Sequence, residues 1–210
     1  MHITEPMTLI TDYLLAGLVF YFGRRLLAAW RRTGQQSVYW WAVGFHASAL
    51  AALAGGTYHG FTSYLRGLPA FLLWKLTVIA VGVAALFLFA GVVLAAISGL
   101  PKKCLLILAG LKFLLYAMWM TSHDDFRYVI YDYAPALFGI LLLAIYASLA
   151  RRERFAPWLI GGVLVSFAAA GIQASGLALH EHFNHNDLYH VVQMGAFWML
   201  YRGGLLLRDR

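Results

Sequence analysis

Apolar residues run along this chain in seven long stretches separated by short polar ones. The stretches cover residues 7–29, 38–61, 70–98, 103–121, 128–149, 157–180 and 187–207. Each is close to or above the roughly 20 residues that a helix needs to cross about 30 Å of hydrocarbon. The apolar positions are continuous, without the two-residue alternation of a barrel strand. In lipid, backbone N–H and C=O groups must be satisfied internally, and a helix does this within one segment. The pattern therefore predicts an all-α integral membrane protein, a seven-transmembrane-helix bundle. Connections are short, so residues 1–210 form a single domain.

Composition points the same way. Hydrophobic residues make up 62% of the chain and charged residues 12%, against roughly half and a quarter in a soluble domain. Mean hydropathy is +0.71. This excludes a soluble enzyme, a disordered regulator and a secreted disulfide scaffold, and the single cysteine, Cys104, has no internal partner.

The net charge of +7 is unevenly placed. Arg24, Arg25, Arg31 and Arg32 lie at the first connection, Lys102 and Lys103 at the third, and Arg151, Arg152 and Arg154 at the fifth. Arg202, Arg208 and Arg210 close the chain. With seven spans these 12 of the 16 basic residues share one side. Basic residues mark the cytoplasmic side, which puts the N-terminus outside and the C-terminus in the cytoplasm. The charge is thus an orientation signal and not the footprint of a nucleic-acid partner. The flank Met1-His2-Ile3-Thr4-Glu5-Pro6 has no Lys or Arg, so the first span is expected to be retained rather than cleaved as a signal. Short tails and the absence of Asn-x-Ser/Thr suit a multi-pass protein of the bacterial inner membrane.

The remaining polar residues gather in the outer half. Seven of nine acids lie there (Glu5, Asp12, Asp124, Asp125, Asp132, Glu181 and Asp187), with His59, His123, His180, His182, His185 and His190. Asp12, His59, Lys75, Asp132, His180 and His190 fall within about two turns of the outer boundary on six different spans. Ionisable groups are costly in hydrocarbon and mark paired or functional sites facing the bundle interior. His46 lies deeper and reads as a packed, hydrogen-bonded residue. Lys112, in mid-span, needs an acid, a carbonyl or a snorkelling route.

Histidines beside carboxylates are the ligands of zinc, and a catalytic zinc takes three protein ligands and one open position. His59, in Gly55-Gly56-Thr57-Tyr58-His59-Gly60, and His190, in His185-Asn186-Asp187-Leu188-Tyr189-His190, are the two leading ligands. His180, Asp187 or Asn186 would supply the third, and Asp12 or Asp132 a general base one water from the metal. Tyr58, Tyr189 and Lys75 would line a substrate. Other readings stand beside these. Asp12 and Lys75 could form an ion pair between spans one and three. Asp187 or Asn186 could cap the last helix. Bis-histidine ligation of haem would use His59 with His190 or His180. A transporter, receptor or sensor would relay protons through the same layer. Gly161, Gly162, Gly171 and Gly176 in the sixth span, with Gly195, Gly203 and Gly204 in the seventh, read as close helix packing.

Seven spans, with a histidine ending the second and another opening the seventh, resemble the superfamily of alkaline ceramidases, adiponectin receptors and Per1-like membrane hydrolases. That resemblance implies a zinc held by His59 and His190. The family's helix 7 pair is His-x-x-x-His, where this chain has Asn186 and His190, and Gly55 stands at the family's helix 2 serine. The function it implies is zinc-dependent hydrolysis of a lipid amide or ester, the lipid substrate entering from the outer leaflet.

Overall fold

The computed structural model describes residues 3–180 and 183–210. His2, Glu181 and His182 lie outside them. Seven helices follow in order: α1 (Pro6–Thr33), α2 (Gln36–Phe61), α3 (Leu68–Ala96), α4 (Gly99–Trp119), α5 (Arg127–Arg151), α6 (Ala156–Ser175) and α7 (His185–Gly204). Five of them, α1, α2, α3, α5 and α6, are long and apolar enough to cross a membrane. This is compatible with a multi-pass membrane protein. α4 carries Lys102, Lys103 and Lys112, and α7 opens on His185-Asn186-Asp187 and ends on Arg202.

The helices close on themselves. α1 packs on α2, α2 on α3, α3 on α5, α5 on α6, α6 on α7, and α7 returns to α1. α4 leans on α3 and α5 from outside this ring. Its position explains its surface, where the buried residues are Ala109 and Tyr116 alone. Leu108 and Leu115 are 60% and 69% exposed there, and Leu149 on α5 is 81% exposed. Such an apolar outer surface is stable against lipid and not against water. Connections of two to four residues at 34–35, 97–98 and 152–155 turn each helix straight back along its neighbour.

The ring is filled by aromatic and branched residues. Trp41, Phe45, Leu26, Ile140, Leu159 and Leu200 are each 2% exposed or less. Phe45 meets Phe197 edge-on at 5.3 Å between centroids, and Trp41 Nε1 donates to the Leu200 carbonyl at 3.2 Å. Small residues set how closely the helices approach. A Cβ added at Gly162 would lie 2.8 Å from Leu200, and those at Gly203 and Gly204 would strike Leu159 and Trp41. The close-packing expectation therefore describes Gly161, Gly162, Gly203 and Gly204. It fails for Gly171 and Gly195, which face open space.

Two boundaries differ from the hydrophobic pattern. α6 ends at Ser175, not near residue 180, because Gly176 adopts φ 67° and its N–H closes on the Gln173 carbonyl. Gly176 is thus a helix stop rather than a packing residue. At the opposite end of the bundle, α2 has no local cap. Asp209, from the far end of the chain, accepts from the N–H groups of Gln36 (2.5 Å) and Ser37 (2.7 Å). Its own N–H donates to Gln35 Oε1 at 2.6 Å.

This long-range cap gives a test of the fold. Asp209→Ala removes both acceptors and is expected to cost about 1–2 kcal/mol. Asp209→Asn keeps one acceptor oxygen and should recover about half of that. Thermal unfolding of the detergent-solubilised chain measures both.

Candidate functional site

Near the N-terminal end of α1, Thr8, Thr11 and Asp12 fall on one face, three and four residues apart. All three are buried, at 1%, 4% and 5% exposure. They face the first turns of α7, where Asp187 (0%) and His190 (8%) are buried with them. Asp12 Oδ1 lies 3.2 Å from His190 Nε2. Thr11 Oγ1 lies 3.0 Å from His190 Nδ1. Thr8 donates to Asp187 Oδ1 at 3.0 Å. Asp12 reaches this position because α2 is small opposite it: a Cβ at Gly56 would come within 2.6 Å of Asp12 Cβ.

Asp187 also belongs to the start of its own helix. Asn184, not Asp187 or Asn186, is the N-cap. Its side chain accepts from the N–H groups of Asn186 and Asp187, and Asp187 Oδ2 accepts from Asn184 N–H at 2.8 Å, which completes a capping box. A carboxylate here is further stabilised by the positive end of the α7 dipole. Asn186 Oδ1 accepts from Gln173 of α6 at 3.1 Å. One turn deeper, Gln193 donates to Ser166 at 3.1 Å.

The proton inventory follows from these bonds. The Thr11 hydroxyl has one proton, and the carbonyls of Met7 and Thr8 lie 3.0 and 3.1 Å from its oxygen. Where that proton goes to a helix carbonyl, Thr11 accepts from His190 Nδ1–H and a further proton bridges His190 Nε2 and Asp12. Where Thr11 donates to Nδ1 instead, Nε2–H donates to the Asp12 carboxylate. The two arrangements differ by one proton. Asp187 is held by the Thr8 hydroxyl and the Asn184 N–H rather than by a cation. Two buried acids thus lie beside one buried histidine, with Glu5 and His59 paired at 3.6 Å farther out.

The other sequence candidates are placed elsewhere. His59 is half-buried at the end of α2, with Nδ1 3.6 Å from Glu5, and Tyr58 packs against it and against Trp74. His180 is exposed in the connection after α6, where its backbone pairs with that of Phe183. Tyr189 packs on His190 at 5.2 Å. Lys75 does not pair with Asp12. It is bound by Asp124 at 2.7 Å and by the carbonyls of Met120 and His123, all beyond α4. Asp132 is held by Lys112, which donates to its Oδ1 at 2.5 Å and its carbonyl at 2.8 Å. This supplies the acid and the carbonyl that a mid-span lysine requires.

These donors do not fit a zinc centre. Both ring nitrogens of His190 and both oxygens of Asp187 are already engaged, and no group of three ligating side chains forms among the described residues. The haem pairing of His59 with His190 or His180 does not assemble among the described residues either: His59 Nδ1 faces Glu5 at 3.6 Å, both ring nitrogens of His190 are engaged, and His180 lies in the connection after α6. His46 is packed and hydrogen-bonded as expected, through Nδ1 to the Ala42 carbonyl at 2.7 Å.

Sequence reasoning missed Thr8, Thr11, Asn184 and Gln193. The first two were visible as polar positions on the face of Asp12 in the first turns of α1. Asn184 was visible as the first residue of an Asn-x-x-Asp box.

Residues 7–209 match a family of unknown function, DUF6962, and the chain belongs to that family. No curated protein and no solved structure matches it.

Two measurements check this geometry. Thr8→Val is expected to destabilise the chain by about 1.5–3 kcal/mol, the range for a hydrogen bond to a charged group. In Asp187→Ala the same substitution should cost far less, and a double-mutant cycle reads the difference. Chelator treatment of the purified chain should leave its thermal midpoint unchanged. A fall that added zinc reverses would restore a metal to the site.

Proposed function

We propose that this member of the DUF6962 family is a proton-handling membrane protein, a transporter or sensor whose α1–α7 polar layer takes up and releases a proton. The observation that carries the reading is the buried Asp12–His190 contact of 3.2 Å beside Asp187. A low-dielectric interior holds an unbalanced charge poorly. Asp187 is compensated by its hydrogen bonds and the α7 dipole, so the proton is accommodated at the Asp12–His190 contact, where two buried groups lie within hydrogen-bond reach. Asp12 and His190 would exchange it, Thr11 would hold the imidazole by its other nitrogen, and Asp187 would offset the added positive charge. The reading also takes the chain as seven spans of a bacterial inner membrane, with the acid-rich end outside and the basic end in the cytoplasm.

A second reading has one specific observation behind it. Thr11, His190 and Asp12 follow one another as hydroxyl, imidazole and carboxylate, the order of a nucleophile, its base and the group that orients the base. A metal-free lipid hydrolase would use them in that order. Against it, Thr11 is 4% exposed and its hydroxyl lies within bonding distance of its own helix's carbonyls. A substrate carbonyl would have to displace α7 to reach it.

Infrared difference spectra of the chain in nanodiscs, recorded between acid and alkaline pH, distinguish the two. The expected result is a protonated-carboxyl band that appears on acidification, disappears in Asp12→Asn and shifts in His190→Gln. A spectrum unaltered by Asp12→Asn would overturn the proton reading. Release of fatty acid from a lipid ester or amide by the native chain, abolished in Thr11→Val, would favour the hydrolase.

A further inference from the structure

The end of the bundle opposite the polar layer contains a pocket of about 170 Å³, far above the roughly 15 Å³ that one water needs. Its floor is apolar, made by Ala29 of α1, Val38 of α2 and Leu206 after α7. Its rim is polar and mainly cationic: Arg152, Arg154 and Arg208 line it with Glu153, Thr33 and Gln35. All three arginines are exposed, and none has an acid, carbonyl or aromatic partner among the described residues. The two acids close by are committed. Glu153 binds Arg210 at 2.5 Å, and Asp209 caps α2. With Glu153 paired to Arg210 and Asp209 turned to the α2 N–H groups, the pocket presents three guanidiniums free to meet an anion over an apolar floor.

The backbone at its edge is unusual. Arg152 adopts φ 53° and ψ 38°, and among the described residues it is the one non-glycine with positive φ. Its N–H closes the last turn of α5 on the Ala147 and Ser148 carbonyls. Glycine ordinarily occupies this left-handed capping position, because a side chain there is strained. The chain accepts that strain and places a guanidinium at the rim of the pocket. Strain of this kind concentrates at ligand clamps.

We propose that this pocket binds a phosphate group. Guanidinium forks match phosphate oxygens with paired, charge-assisted hydrogen bonds. Basic pockets between helix ends lie at the level of lipid headgroups. The apolar floor suits the first methylenes of an attached alcohol. The phosphate could belong to an anionic phospholipid or to a free phosphorylated solute, and the two share this recognition chemistry. The inference is independent of the proton reading, which concerns the other end of the molecule.

Native mass spectrometry of the full chain, released from nanodiscs containing phosphatidylglycerol and cardiolipin, tests it. The native chain should retain one lipid. Combined Arg152→Gln, Arg154→Gln and Arg208→Gln should weaken retention by about tenfold or more. Combined Arg31→Gln and Arg32→Gln, outside the pocket lining, should leave retention unchanged. If the native chain instead binds inorganic phosphate saturably, and phosphate displaces the lipid, the ligand is the free anion and the site stands. Equal losses in the two sets of variants would show unspecific interfacial charge and overturn the site. So would retention of neither lipid nor phosphate by the native chain. Arg152→Gly separates binding from structure: it should raise the thermal midpoint by relieving strain while it lowers retention. A fall in both would assign Arg152 to the fold alone.

Discussion

A charged group inside an apolar helix bundle has to be matched at contact distance, because neither water nor lipid can solvate it there. Much of the tertiary detail of this chain follows from that constraint. Asp12 meets His190, Asp132 meets Lys112, and Lys75 meets Asp124 with two carbonyls. Each contact joins helices, or a helix and the turn beyond one. Removing one member of a buried pair typically costs about 3–5 kcal/mol, mostly by stranding the other. Such pairs therefore fix which helix lies beside which more firmly than the interchangeable leucines of the outer surface do. α4 shows this most clearly. It shares little apolar surface with the ring, and its attachments include the Lys112 ion pair and the Tyr116 hydroxyl donated to the Val78 carbonyl at 2.8 Å.

The number of helices and their approximate spans were legible in the hydrophobic pattern, because continuous apolar runs of 20 residues have few other physical solutions. The ends were less legible. Hydropathy carries the sixth span to residue 180, but Gly176 can take a left-handed conformation that ends the helix at Ser175. A sequence reading that treated Gly176 as one more packing residue could not see this. The α2 cap was hidden for a different reason. Its acceptor, Asp209, is 173 residues away from Gln36, and no local window contains both.

The candidate site was half legible on similar grounds. Counting residues from a span boundary gives the expected depth of a polar group, and depth placed Asp12, Lys75, Asp132 and His190 at one level. Depth says nothing about azimuth. Six helices with groups at one level allow many pairings, and azimuth is decided by packing. Gly56 lets α1 approach α2 at Asp12, and the ring closes α1 on α7. Asp12 therefore finds His190 and not Lys75. Lys75 and Asp132 lie on α3 and α5 and find the partners that α4 and its following turn bring to them. The candidate zinc ligands part at the same step: among the described residues His59 faces Glu5 and His190 faces Asp12, since bringing histidines to one depth does not turn them to one point.

The two ends of the molecule are unbalanced in opposite senses. At one end, two buried acids lie beside one buried histidine. At the other, three guanidiniums surround a pocket whose neighbouring acids are already bound. Neither imbalance helps the chain to fold. Replacing Asp12 and His190 by well-packed apolar residues would remove a desolvation cost, and glycine at position 152 would remove backbone strain. Interactions that lower stability locally, yet are held in place by well-formed surroundings, are poorly explained by folding requirements alone. The surroundings here are well formed: a complete capping box fixes Asp187, a close glycine contact seats Asp12, and a distant carboxylate pins the chain beside Arg208. The sequence thus spends its strongest local devices on orienting groups that an apolar bundle would be more stable without, which is the pattern expected where those groups meet a proton or an anion from outside the fold.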